Sequence, residues 1–320
     1  PGGATKSINK EERDQIKEMA QSCQTFALKT LDIFHKVVLE NPQYMSLITN
    51  PAFSLNVFNM GTVDQNNKLN FYDGMIRVTD PQGKEFIKFK AQDYLEHLGE
   101  EVVEWSYVKI PYLKKVGFKG LIDGMDSGLY RVGPLGRLNA SDGMATPKAQ
   151  QEYEVMYNTF KAKPVTSTLA FHWARLIELL YACERALELI KDPQITDTKI
   201  RNMDFKHQAT GIGVVEAARG TLFHHYELTD DRLVKSVNMI VATTNNNGVI
   251  NMSIRNAARE LIKSKDGKAN WNEGILNTVE MFFRAYDPCF GCASHSLGTL
   301  KLEINIFDKQ RKLIQSIKSY

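Results

Sequence analysis

Asp287-Pro288-Cys289-Phe290-Gly291-Cys292-Ala293-Ser294-His295 is the stretch on which the reading of this chain turns. Two thiols three positions apart, just past a segment of helical spacing, can turn toward one metal ion. Thiolate is a soft ligand that suits nickel, iron, copper or zinc. His295, three positions further, adds an imidazole nitrogen, and metal contact would keep both sulfurs deprotonated. A Cys-x-x-Cys pair alone is weak. Zinc would want a second pair or two histidines at partner spacing, and neither occurs. A thioredoxin-like dithiol would open a helix after a strand, whereas this pair follows a helix. Metal binding leads on the segment's chemistry, with structural thiols and a redox dithiol behind it.

Working outward, residues 272–286 have helical spacing, with Ile275, Leu276, Val279, Phe282, Phe283 and Tyr286 on the buried face. Pro288 ends that helix, because proline disfavours helical geometry in the residue before it. Residues 249–264 also read as helix. After His295 the chain alternates: Leu300, Leu302, Ile304 and Ile306 on one face, Lys301, Glu303 and Asn305 on the other, as in a half-exposed strand able to pair with a sheet edge. Residues 212–242 read as strands, with Leu222–Tyr226 and Leu233–Val241 joined around Thr229-Asp230-Asp231. His224 and His225 are adjacent there, so they point to opposite faces and cannot both turn inward. Residues 167–190 give the clearest helix, with Leu169, Trp173, Leu176, Ile177, Leu180, Cys183, Leu187 and Ile190 on its core face; His172 and Arg175 read as structural. Residues 104–145 carry little periodicity, and Arg131-Val132-Gly133-Pro134-Leu135 reads as a packed loop. Residues 68–88 carry hairpin signals, Leu69–Tyr72 leading through Asp73-Gly74 into Met75–Val78, then Asp80-Pro81-Gln82-Gly83 into Phe86-Ile87. Residues 10–40 read as a long helix, with Asn9 as N-cap, Glu12 completing a capping box and Ile8 as a staple.

The bulk properties exclude several classes. The chain has 320 residues, 43% hydrophobic and 24% charged, with a formal net charge of +3. These are ordinary values for a globular protein, without a field that favours nucleic acid or an anionic membrane. There is no basic stripe with interleaved aromatics, and no apolar run approaches the ~20 residues of a membrane span. Four cysteines argue against a disulfide scaffold; Cys23 and Cys183 are expected to be buried, inert thiols. The start, Pro1-Gly2-Gly3, lacks both methionine and a secretory h-region, so a processed protein or a piece of a longer chain is expected.

Asp-Pro-Cys-x-x-Cys-x-x-His resembles the C-terminal signature of nickel-iron hydrogenase large subunits. Other segments carry the resemblance further. Glu216-Ala217-Ala218-Arg219-Gly220 resembles the family's Glu-Ala-Pro-Arg-Gly, and Val241-Ala242-Thr243-Thr244-Asn245-Asn246-Asn247 its Ala-Thr-rich asparagine segment. Arg131–Leu135, Leu169–Arg175 and Phe283–Tyr286 are similar to family segments as well. Together they resemble the cytosolic, methyl viologen-reducing type, which works with heterodisulfide reductase in methanogens and some anaerobic bacteria. The resemblance implies an α+β, mainly helical large-subunit fold without its N-terminal region. It implies oxidation of dihydrogen, electron transfer to an iron-sulfur small subunit, and a cytoplasmic location. Cys289 would be a terminal nickel ligand and Cys292 a bridge between nickel and iron. His295 would ligate a magnesium or iron ion. Arg219 would hang over the open coordination position, and Asp287 would hold Arg219. The iron would carry cyanide and carbon monoxide. No iron-sulfur cluster is expected in this chain.

Three departures stand out. The family's Arg-x-Cys-Gly-x-Cys motif, source of the other two cysteine ligands, is absent, so a separate chain supplying it is one expectation and a truncated or site-less relative another. Ala218 stands where the family has proline. The chain runs past His295 to Tyr320, which divides it into a body, 1–295, and an extension, 296–320, resembling a propeptide cleaved on maturation. The alternative reading is a non-catalytic scaffold subunit of an electron-transfer complex; a third is a stand-alone zinc or redox protein.

Overall fold

The computed structural model describes residues 2–204, 206–262, 264–265, 268–269, 272–289, 303–308 and 310–318. They form two compact units, 1–286 and 287–320.

The first unit opens on helix α1, Lys10–Phe34, closed at its start by the expected box: Glu12 N–H donates to Asn9 Oδ1 at 2.8 Å and Asn9 N–H to Glu12 Oε2 at 3.1 Å. The expected helix runs on past Phe34 as a wider π turn, His35–Leu39. Helix α2 is Pro42–Ile48. Only from Ala20 onward does α1 bury residues, Ala20, Ala27 and Leu31. Cys23 sits at the edge of that contact and is exposed, against expectation, while Cys183 takes the buried place. Burial first, then Cys23 beside it, raises the Cys183 thiol pKa.

Strands β1, Phe58–Val63, β2, Met75–Thr79, and β3, Glu85–Phe89, follow. The second hairpin signal is realised, with β2 and β3 antiparallel. The first is not. The antiparallel partner of β2 is β1, and Leu69 makes only a single bridge to Val63. Every residue of β1 is buried, so it shows no alternation to read. Helix α3, Tyr94–His97, leads into the hairpin of β4, Leu98–Val103, and β5, Ser106–Leu113. Strand β6, Tyr130–Arg131, pairs parallel with β1 and completes a sheet of order β3-β2-β1-β6.

The segment expected as a packed loop is instead the entry to helix α4, Gly133–Ala140. Pro134 in its first turn is a position where the missing N–H costs nothing. All eight residues are buried, so the helix has no polar face and therefore no helical period in its sequence. Helices α5, Pro147–Phe160, and α6, Phe171–Leu189, follow, the latter as expected. The strand reading of 212–242 is realised as an antiparallel meander of β7, Thr210–Ala217, β8, Gly220–Leu228, and β9, Val234–Ile240. Helices α7, Ala242–Asn245, and α8, Asn247–Leu261, a small hairpin of β10, Ser264–Lys265, and β11, Lys268–Ala269, and helix α9, Glu273–Arg284, complete the unit.

One core gathers helical residues, among them Leu31, Trp173, Ile177, Val249 and Phe282. A second gathers sheet residues, among them Phe58, Ile76, Leu113 and Phe223. The mixed, mainly helical reading stands. Among the described residues no helix is long and apolar enough to cross a membrane.

In the second unit β12, Glu303–Phe307, and β13, Leu313–Lys318, form an antiparallel hairpin. The expected strand is present, with a partner from its own tail. Leu300 and Leu302 lie outside the described residues.

Candidate metal centre

The chain reaches the cysteine segment from a fixed end. Phe282, Ala285 and Tyr286 are buried at the end of α9. Arg175 Nη2 donates to the Ala285 carbonyl at 2.9 Å. The Tyr286 hydroxyl lies 2.8 Å from Ser253 Oγ, itself 3.1 Å from Thr168 Oγ1. The Phe171 and Tyr286 rings are 4.5 Å apart. Arg175 thus serves the frame, as expected, while His172 lies beside it on α6. Burial first, then Arg175, depresses the His172 imidazole to about 4, so it is neutral at pH 7. It borders an apolar cleft of about 550 Å³ with Phe34, Val38, Leu169 and Met281.

In the second unit Asp287 has φ +51, the left-handed region that aspartate tolerates better than most residues. The helix itself has already stopped at Arg284. Cys289 is exposed. Cys292 and His295 lie outside the described residues.

Arg219 sits half-buried in the two-residue turn Ala218-Arg219 between β7 and β8. This turn rests on the start of α4. A Cβ added at Gly133, whose φ is +85, would come within 2.9 Å of the Arg219 carbonyl oxygen. One added at Gly220, φ +140, would lie 2.2 Å from Val132 Cγ2. Both positions need glycine for the close approach and for the backbone angle.

Beneath the turn lies a buried ion triad. Arg137 donates from Nε and Nη2 to the two carboxylate oxygens of Glu178, each at 2.6 Å, and from Nη1 to Glu216 Oε2 at 2.8 Å. The same guanidinium reaches the Ala217 carbonyl at 2.7 Å and the Ala218 carbonyl at 3.3 Å. Glu216 Oε1 accepts from Thr62 N–H at 2.8 Å, Thr62 Oγ1 at 3.1 Å and Thr221 Oγ1 at 3.0 Å. Side-chain exposure is 1% for Arg137, 7% for Glu178 and 0% for Glu216. Burial alone would pull the guanidinium pKa down; Glu178, then Glu216, reverse this and hold it above its ordinary value. Burial pushes the Glu178 carboxyl up, against the pull of Arg137.

The asparagine run ties the same region together. Asn246 Oδ1 accepts from Val132 N–H at 2.9 Å and its Nδ2 donates to the Val132 carbonyl at 3.3 Å. Asn245 donates to the Thr221 carbonyl at 2.8 Å and accepts from the Tyr130 hydroxyl. Asn247 donates to the Val108 carbonyl at 3.1 Å. His225 Nδ1 lies 3.1 Å from the Tyr94 hydroxyl and His224 Nδ1 3.5 Å from that of Tyr226; both stay strand residues, as expected.

Sequence reasoning singled out Arg219 and the asparagine run but missed Arg137 and Glu178. The one available signal was an arginine inside a stretch otherwise free of charge, Val132–Ala140. Soft thiolates in Cys-x-x-Cys suit nickel and iron. Among the described residues, though, no group of three or more His, Cys, Asp or Glu could hold a metal by itself. The donor set fits as one half of a larger site.

A fold of buried helices and small sheets ending in this thiolate signature defines a class. The chain belongs to the nickel-dependent hydrogenase family, which it matches over residues 54–295. It is 42% identical, over all of its length and 65% of the relative's, to an iron-sulfur subunit of the F420-non-reducing hydrogenase of Archaeoglobus profundus. It is 35% identical, over 98% of its length and 63% of the relative's, to the beta subunit of the NAD-reducing hydrogenase of Cupriavidus necator. Its fold matches a crystal structure of an NAD+-reducing [NiFe]-hydrogenase in the H2-reduced state, with a TM-score of 0.81 and 34% identity, covering 92% of this chain and 62% of that one. The chain therefore spans less than two thirds of the length of these relatives.

Proposed function

We propose that this chain forms the central and C-terminal part of a nickel-iron hydrogenase large subunit, acting in reversible heterolytic oxidation of dihydrogen. The observation that carries the reading is the extent of the family match, which ends at His295, the last residue of the thiolate signature. The roles go to this chain's own residues. Cys289 and Cys292 hold nickel and iron on this side of the centre, and His295 holds a magnesium or iron ion. A nickel-iron centre, with cyanide and carbon monoxide on the iron, supplies Lewis acidity and the two-electron redox capacity. Cys289 Sγ, kept as thiolate, accepts the proton that dihydrogen releases. Arg219 acts as a fixed charge and planar donor, because a guanidinium rarely gives up its proton. The family resemblance assigns Asp287 the task of steadying Arg219.

The chain's other two cysteines, Cys23 on α1 and Cys183 on α6, are not in a Cys-x-x-Cys pair. A second cysteine pair, in an Arg-x-Cys-Gly-x-Cys motif, supplies the other ligands, and an iron-sulfur small subunit takes the electrons, in turn serving a heterodisulfide reductase complex. The complex works in the cytoplasm. Residues 296–320 act as an extension removed after metal insertion. Its alternating strand holds the segment around Cys292 and His295 back until cleavage, so a nickel-loaded chain ends at His295 by intact mass.

Elemental analysis of the assembled complex tests the centre. Wild type should carry nickel, and Cys289→Ser, which removes a soft anionic ligand, should carry essentially none. Equal nickel in the two would sink the assignment.

A further inference from the structure

We infer that Arg137 is a positioning residue for Arg219, holding the turn that carries it from behind. The inference rests on the reading of Arg219 given above. Two of the nitrogens of Arg137 that meet the carboxylates also reach the carbonyls of Ala217 and Ala218, the residues immediately before Arg219. The carboxylates take three of the five N–H donors of this buried guanidinium, and the two that remain, which need acceptors, find them in the turn. Glu216 pins both feet of the same turn. It belongs to β7, it accepts from Thr221 at the start of β8, and Thr221 is its partner in register. The same oxygen, Oε1, takes two more donors from Thr62 on β1. The Arg219 carbonyl lies against Gly133, one turn before Arg137 on α4.

The turn is thus clamped to one face of α4, by Gly133 at the start of the helix and by the buried ion triad one turn on. Ala218 stands where proline would stiffen the backbone directly, which leaves more of that task to the clamp. The fork geometry matters here: five donors in one plane can meet two carboxylates and two carbonyls together, and a lysine cannot.

Two substitutions disturb the clamp at two points without replacing Arg219. Glu178→Gln keeps one acceptor for Arg137 and removes the other, so the guanidinium loses its fixed orientation while Glu216 still pairs with it. Gly133→Ala puts a methyl group against the Arg219 carbonyl. In the assembled complex we expect both to retain nickel. The rate at which phenylglyoxal adds to Arg219, followed by peptide mass, should change several-fold. Turnover should fall about tenfold with KM for dihydrogen little altered, since a displacement of the order of 1 Å at a reacting centre can cost ~100-fold.

Arg219→Lys serves as the control. If it keeps full turnover, the reading of Arg219 fails, while the modification rates still report whether the triad holds the turn. If Arg219→Lys loses turnover and Glu178→Gln retains both turnover and the wild-type modification rate, the positioning role is overturned and the reading of Arg219 stands. A fall in turnover that only tracks lost nickel or a lower melting temperature, with the modification rate unchanged, also overturns it. Should Gly133→Ala fail to fold, Glu178→Gln alone decides.

Discussion

Asparagine side chains bind backbone groups at many places in this molecule, and two of those places differ in almost everything else. At the start of α1, Asn9 accepts from the N–H of Glu12, three residues away, on an exposed helix end. In the run Asn245–Asn247, Asn246 meets both backbone groups of Val132, 114 residues away, in a fully buried setting. The hydrogen bonds are of similar length. At the surface water replaces a lost partner, so the bond contributes only its small net value. In the interior nothing replaces it, and the cost is the full desolvation of the group left behind. The same distinction separates the Arg137 triad from the surface pair of Arg185 and Glu188, where both side chains are half exposed and the expected contribution is ~0–1 kcal/mol.

The comparison is broken most forcefully at the triad. Arg137→Leu leaves Glu178 and Glu216 facing each other without a cation, and removing one partner of a buried pair costs about 3–5 kcal/mol. Urea unfolding should show an unfolding free energy lowered by that amount. A change below ~1 kcal/mol would mean that water reaches the carboxylates and that the triad is worth no more than a surface pair. Next in size is Asn246→Ala, which orphans the Val132 N–H and carbonyl together. At about 1–3 kcal/mol for each unsatisfied buried group, with the carbonyl bond at 3.3 Å the weaker of the two, a loss of roughly 2–4 kcal/mol is expected by the same measurement.

What could be read in advance follows the same division between local and distant partners. The cap at Asn9, the helices of 167–190 and 272–286 and the strands of 212–242 depend on residues a few positions apart, and their spacing showed them. Strand β1 and helix α4 are buried on every side, so neither had a polar face to give it a period, and α4 was taken for a loop. Leu69–Tyr72 carried turn chemistry but lost its place in the sheet to β1, a competition that no local pattern records. Arg219 and the asparagine run stood out only through the family resemblance. Their wiring, Arg137 to Glu178 and Asn246 to Val132, joins residues 41 and 114 apart, and no spacing rule reaches that far. The thiolate segment is legible as chemistry from two cysteines and a histidine three positions apart.

The smallest effect belongs to Asn9, and it sharpens the contrast because the chemistry is so close to that of Asn246. Asn9→Ala removes the acceptor for Glu12 N–H, and Glu12 keeps its own bond to the N–H of residue 9. The freed amide is at an exposed helix start, where water can take it. N-cap replacement by alanine costs about 0.5–2 kcal/mol, and with half of the box intact the lower part of that range, ~0.5–1 kcal/mol, is expected. The first turns of α1 bury nothing before Ala20, so fraying there has little packing to lose. Urea unfolding of Asn9→Ala and Asn246→Ala side by side should therefore give losses in a ratio of roughly one to three or more, as burial requires. A similar loss for the two variants would show that the hydrogen bond itself, and not the water excluded around it, sets the cost of removing an asparagine from this fold.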